Sequence, residues 1–172
     1  SPLAKMLHRY EGRIKVFMHG DREREMEHAR AYVRQLSELL PGVRIALAKR
    51  ANEATIDVYF MSVRRDGNSD AWIEEADAII TQRFGRRSKL AKTDKSSMKS
   101  AYCFFFPYFN DDHSTRSTLI FIPQLSSEQH LEECIIEEIQ QSLGTRNDNS
   151  SLKKSIFSDD NPLGQTQLFD LH

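Results

Sequence analysis

The sequence predicts a single α+β domain, with helices layered on one mixed sheet. Three observations carry this. The chain has 172 residues, which suits one domain and leaves little room for two. Segments of period-two alternation are interleaved with stretches of helical period. Thr118 to Ile122 is apolar almost throughout, which suits a central strand or one covered on both faces. The resulting order is strand, helix, strand, strand, helix, strand, strand, helix, loop and tail, an α+β or α/β layer arrangement.

Arg13 to Met18 alternates with Ile14, Val16 and Met18 on one side, so a strand with one buried face is expected. A helix is expected from Asp21 to Leu40. Met26, Ala29, Val33, Leu36 and Leu40 recur at three- and four-residue spacing and form one apolar stripe. Asp21 is the expected N-cap, and Pro41-Gly42 the stop. Val43 to Leu47 and Thr55 to Phe60 alternate again and read as strands. Asp70 to Ile80 reads as a helix through Trp72, Ile73, Ala76, Ile79 and Ile80.

Arg86 to Ser100 carries Arg86, Arg87, Lys89, Lys92, Lys95 and Lys99 against a single acid, Asp94, and reads as a loop. Ala101 to Phe106 is an aromatic strand that Pro107 should close. Asn110-Asp111-Asp112 reads as a turn. After the Thr118–Ile122 strand, Ser126 or Ser127 caps a last helix that runs to about Leu143. Ser126 with Gln129 matches capping-box spacing, and Gly144 stops the helix. A polar loop then leads to a tail with small apolar clusters at Ile156-Phe157 and Leu168-Phe169.

Composition excludes several classes of function. The 24 Lys plus Arg and 25 Asp plus Glu give a net charge of −1. That balance argues against bulk attraction to nucleic acid or an anionic membrane. The basic run from Arg86 to Lys99 lacks the interleaved aromatics of a single-strand nucleic-acid site. It reads as a solvated loop, as a contact for an anionic partner, or as a cover for Glu132, Glu133 and Glu137. No stretch is long and apolar enough to span a bilayer. No signal peptide is visible, and the opening Ser1-Pro2-Leu3 reads as a trimmed mature form. Two Cys exclude a disulfide-dense miniature scaffold.

The last helix holds the candidate chemistry. Leu131, Ile135, Ile139 and Leu143 are four apart and form a drifting stripe that Ile136 widens. Glu137 and Gln141 lie one turn apart on a shared face, with Glu138 between that face and the core edge. Two carboxylates and an amide at a cleft margin can do acid–base work, because neighbouring carboxylates do not both ionise cheaply. The same helix, with Glu128, Glu132, Glu133, Glu137 and Glu138, also reads as a plain solvated acidic face.

The stretch Glu137-Glu138-Ile139-Gln140-Gln141-Ser142-Leu143-Gly144-Thr145-Arg146-Asn147 resembles the metzincin helix of zinc peptidases, His-Glu-x-x-His-x-x-Gly-x-x-His. Gly144 falls on the motif glycine and Glu138 on the general-base glutamate. Glu137, Gln141 and Asn147 fall on the ligand positions. Ser155-Ile156-Phe157 resembles the Ser-Ile-Met turn beneath the metal, with Phe157 in place of Met. Together with Asn147-Asp148 and Asp159-Asp160, the pattern resembles a bacterial envelope family of unknown function that carries a degenerate zincin-like core. The resemblance implies a zincin-like single domain over residues 1–172, in the periplasm, at the envelope or secreted. It also implies a further C-terminal helix, since the tail after Phe157 is short for such a family.

The departures decide what chemistry to expect. Zinc prefers imidazole, thiolate or carboxylate, and Gln141 and Asn147 offer only neutral amide oxygens. Calcium would accept such oxygens more readily, with Asp148 as an added carboxylate. No resident cofactor is therefore expected, with zinc or calcium as the exceptions to test. Without a Lewis acid, Glu138 has no bound water to activate. The expected roles are a relic hydrogen-bonded cluster beside a cleft that binds a peptide or protein, metal-free acid–base chemistry on Glu138 and Glu137, or an oxygen-rich cation site. The leading expectation is a non-peptidase that acts in binding or as a structural or interaction protein; the alternative is a metal-dependent, peptidase-like hydrolase with Glu138 as general base and atypical oxygen ligands. His8, His19, His28, His113, His130 and His172 are scattered and do not replace the missing ligands. Cys103, on a strand, and Cys134, on the motif helix, are either a disulfide pinning helix to sheet or two buried thiols. The envelope resemblance favours export and the disulfide. Neither Cys has an adjacent His or Lys to make it a nucleophile.

Overall fold

A computed structural model of the protein describes residues 13–40, 44–65, 69–111 and 115–143. In chain order these form β1 (Ile14–His19), α1 (Glu23–Leu39), β2 (Ile45–Leu47), β3 (Ile56–Arg64), α2 (Ser69–Phe84), α3 (Lys92–Ser100), β4 (Phe104–Phe109), β5 (Thr115–Gln124) and α4 (Glu128–Ser142). The strands make one mixed sheet in the order β2-β1-β3-β5-β4. β1 runs parallel to β2 and β3, and β3 parallel to β5, while β4 pairs antiparallel with β5. The predicted α+β class and mixed sheet are therefore found. β5 is covered on both faces, as its sequence requires, but the middle position belongs to β3.

Each face of the sheet has its own core. On one face, Val16, Met18, Val58, Phe60, Ile120 and Ile122 meet the stripes of α1 (Met26, Ala29, Val33, Leu36) and α4 (Leu131, Ile135, Ile139). On the other, Leu119, Phe121 and Met61 meet Trp72, Ile73, Ala76 and Ile80 of α2, with Leu90 and Met98 closing the end. The register explains this division. Val16 lies beside Ile56 and Val58 beside Ile120, so residues of like parity share a face across parallel strands.

Several expectations need correction. The basic segment is not all loop: a 3₁₀ turn, Arg86–Ser88, precedes the helix α3. Met98 is the single buried residue of α3, so the helix has almost no apolar period to read. Its charges pair with α2, Lys95 with Glu74 and Asp77, and Lys99 with Asp70. Among the described residues no ion pair joins them to Glu132 or Glu133. Pro107 does not end β4, which continues to Phe109. Pro107 sits opposite Thr118, whose N–H donates to Thr55 O at 2.9 Å on the β3 side. The pair is thus a non-hydrogen-bonded one, and no donor is needed from proline. Asp21 does not cap α1. Arg22 holds that position without a side-chain bond, while the Asp21 carboxylate accepts from Ser62 Oγ at 3.5 Å. At α4 the cap is Ser127, accepting from His130 N at 3.3 Å, and not the Ser126 capping box. Pro41-Gly42, Asp112, Gly144, the polar loop and the tail clusters lie outside the described residues.

Candidate functional site

α4 and the edge strand β4 enclose a cleft of about 280 Å³, lined by Cys103 to Pro107, Asp94, Glu137, Glu138 and Gln141. The stripe of α4 fixes which side chains face it. With Ile135 and Ile139 turned into the core, Glu137 and Gln141 project outward and Glu138 faces β4. Gln141 Nε2 donates to Glu137 Oε1 at 3.0 Å, an i,i+4 bond at the exposed rim. Glu138 is only 5% exposed. Its Oε2 is buried without a hydrogen-bond partner among the described residues. Burial, reinforced by the charge of Glu137, pushes the Glu138 carboxyl up to about 8. The acid is therefore mostly neutral at pH 7.

Cys103, which lines the cleft, is joined to Cys134 in a disulfide that ties the start of β4 to α4. Cys103 Sγ lies 3.7 Å from Glu138 Oε1. A disulfide sulfur carries no proton, so a hydrogen bond there requires the proton to sit on the carboxyl. Cys134 is one turn before Glu138 on the same helix, so the two side chains share a face of α4. The pairing left open by residue chemistry alone is thus the disulfide.

Of the positions matched to zinc ligands, two are described, Glu137 and Gln141. Glu137 and Gln141 are bonded to each other, and Gln141 turns its amide nitrogen, not its oxygen, to the carboxylate. Among the described residues no group of three or more His, Cys, Asp or Glu is placed to hold a metal ion. Asn147, Asp148 and Ser155-Ile156-Phe157 lie outside the described residues, as do His8, His113 and His172. His130 stacks on Tyr102, with ring centroids 3.9 Å apart.

A second polar cluster escaped sequence reasoning. Asp57, on β3, is fully buried, with His19 Nε2 2.6 Å from Oδ1 and Arg83 Nη1 2.9 Å from Oδ2. Arg83 also donates to the Tyr59 hydroxyl at 3.1 Å, and His19 stacks on the Tyr59 ring at 4.2 Å. Burial raises the Tyr59 hydroxyl above its ordinary value, against the pull of Arg83. The available signal was an acid inside the apolar run Ile56 to Phe60. Gln140 was missed as well. It is buried and donates to the Tyr32 hydroxyl at 3.2 Å, joining α4 to α1.

With the geometry in place, comparison with known proteins adds the family. A family model described as a protein of unknown function (DUF2927) matches residues 2–172. The chain belongs to this family. The resemblance to a family of unknown function holds at that level, and nothing in the match links DUF2927 to zinc peptidases. No curated protein and no solved structure matches the chain. No helix among the described residues is long and apolar enough to cross a membrane.

Proposed function

We propose that this DUF2927 domain is a zincin-like binding module without peptidase chemistry, and that the cleft between α4 and β4 takes an extended peptide. One observation carries the reading: Glu138 is a buried acid whose Oε2 finds no partner within the described residues, beside the cleft and the edge strand. A neutral carboxyl offers one O–H donor and one acceptor. That pair is the complement of an amide C=O and N–H. A backbone amide laid along the cleft answers both, while the edge strand gives it a direction.

The hydrolase alternative has less support. It shares the buried acid, but the two described ligand positions, Glu137 and Gln141, are bonded to each other. A relic cluster fits the Glu137–Gln141 pair but leaves Glu138 unexplained, since a buried polar atom without a partner is costly. The intramolecular disulfide is compatible with an oxidising compartment, and we place the module in the periplasm, at the envelope or outside the cell.

The test is selection of random heptapeptides on immobilised protein at pH 6.5, followed by affinity measurement at pH 6.5 and 9.5. Wild type should lose at least about tenfold in affinity at the higher pH, where the carboxyl loses its proton. Glu138→Gln keeps a neutral donor and acceptor and should lose little. No selected peptide, or an equal loss in both proteins, overturns the reading.

A further inference from the structure

The disulfide that reaches the cleft through Cys103 differs in its surroundings from a purely structural cross-link. Such a bond needs only apolar packing, and the Cys134 side of this one has it, among Leu131, Ile135 and Ile136. The Cys103 side belongs to the same core but also lines an opening of about 280 Å³, and a buried carboxyl stands 3.7 Å from its sulfur. Thiol–disulfide exchange requires an approach path to one sulfur and a means of settling charge on the other; Cys103 lines the opening, and Cys134 lies four residues before Glu138 on α4, on the same face of the helix. Among the described residues, the remaining charged groups that line the cleft, Glu137 of α4 and Asp94 of α3, are both acids. They do not stabilise a departing thiolate by charge. Protonation is the route that remains.

We propose that Cys103–Cys134 is an exchange site for an external thiol entering the cleft in the native state, with Glu138 as the proton donor to the departing sulfur. The incoming thiolate attacks Cys103 Sγ. The S–S bond breaks, and its electron pair leaves on Cys134 Sγ. Glu138 passes its carboxyl proton to that sulfur and becomes a carboxylate. With a dithiol reductant, the second thiol attacks the mixed disulfide and frees Cys103, and the reductant closes into a cyclic disulfide. The two electrons come from the dithiol. The protons that it releases reprotonate Glu138 through solvent and Cys103, leaving two protein thiols. Exchange does not rest on the peptide reading, although a bound peptide would occupy the same opening and the same Glu138 proton.

The experiment is reduction of the native protein by dithiothreitol at pH 7, quenched by alkylation and read by mass, with urea added in steps below the unfolding transition. Native exchange predicts a rate that is first order in reductant and flat in urea. It also predicts at least about tenfold slower reduction for Glu138→Gln, whose amide has no proton to give. The buried Trp72, the one Trp of the chain, reports by its fluorescence that the variant is folded. Two results overturn the proposal. One is a rate that climbs with urea along the global unfolding free energy, the mark of a cross-link opened only by unfolding. The other is equal rates in wild type and Glu138→Gln.

Discussion

Replacing Glu138 by Gln should change how stability depends on pH. The carboxyl is held near 8 in the folded protein against an ordinary 4.5. Between those values the folded state keeps a proton that the unfolded chain has released. Stability therefore falls as pH rises through this window, and levels off above it. At about 1.4 kcal/mol per pH unit the window is worth roughly 5 kcal/mol. That is comparable with the whole stability of a small domain, so water entry and local relaxation will absorb part, and we expect about 2–5 kcal/mol. The amide has no such proton. Urea unfolding of both proteins at pH 5 and pH 9, followed by Trp72 fluorescence, isolates the effect of Glu138 and its coupling to Glu137, because titrating groups that do not interact with Glu138 cancel in the difference. Wild type should lose about 2–4 kcal/mol more than the variant on going from pH 5 to pH 9. Parallel losses within about 0.5 kcal/mol would refute the account of Glu138 as a buried neutral acid, as would a greater loss in the variant.

Three further outcomes are open to the same unfolding assay. Replacing Cys103 and Cys134 together by Ser should cost roughly 3–4 kcal/mol in the chain-entropy model, for a bridge spanning 31 residues. Asp57→Ala strips the carboxylate shared by His19 and Arg83 and should cost about 3 kcal/mol; an unchanged urea midpoint would show the cluster to be energetically idle. Gly20→Ala should cost about 2 kcal/mol or more, because φ there is +134° and an added Cβ would stand 2.6 Å from Phe60 O.

Much of this was legible in the sequence because burial follows period. The stripe Met26, Ala29, Val33, Leu36 and the stripe Leu131, Ile135, Ile139 are buried as read, and Glu138 falls at the core edge as helical spacing requires. What escaped did so for identifiable reasons. α3 is held by one buried side chain, Met98, and by ion pairs to α2, neither of which leaves a periodic mark. Pro107 breaks a strand only where its nitrogen must donate, and strand register is invisible before the fold is known. Asp57 and Arg83 meet only after α2 folds back over β3. Ser126 matched the capping-box spacing, yet Ser127 is the residue at the helix start.

The two cysteines also set an order of events. β4 and β5 are the antiparallel pair of the sheet and follow one another in the chain, with α4 directly after. Cys103 and Cys134 bracket that unit. Oxidation can thus staple a hairpin to its helix using local contacts alone, before the N-terminal half has docked. The parallel pairings of β1, β2, β3 and β5 each bridge an intervening crossover and carry the larger loop-closure cost. An exported chain would reach its slow, long-range steps with the C-terminal unit already assembled. That unit offers β3 a formed strand to dock on.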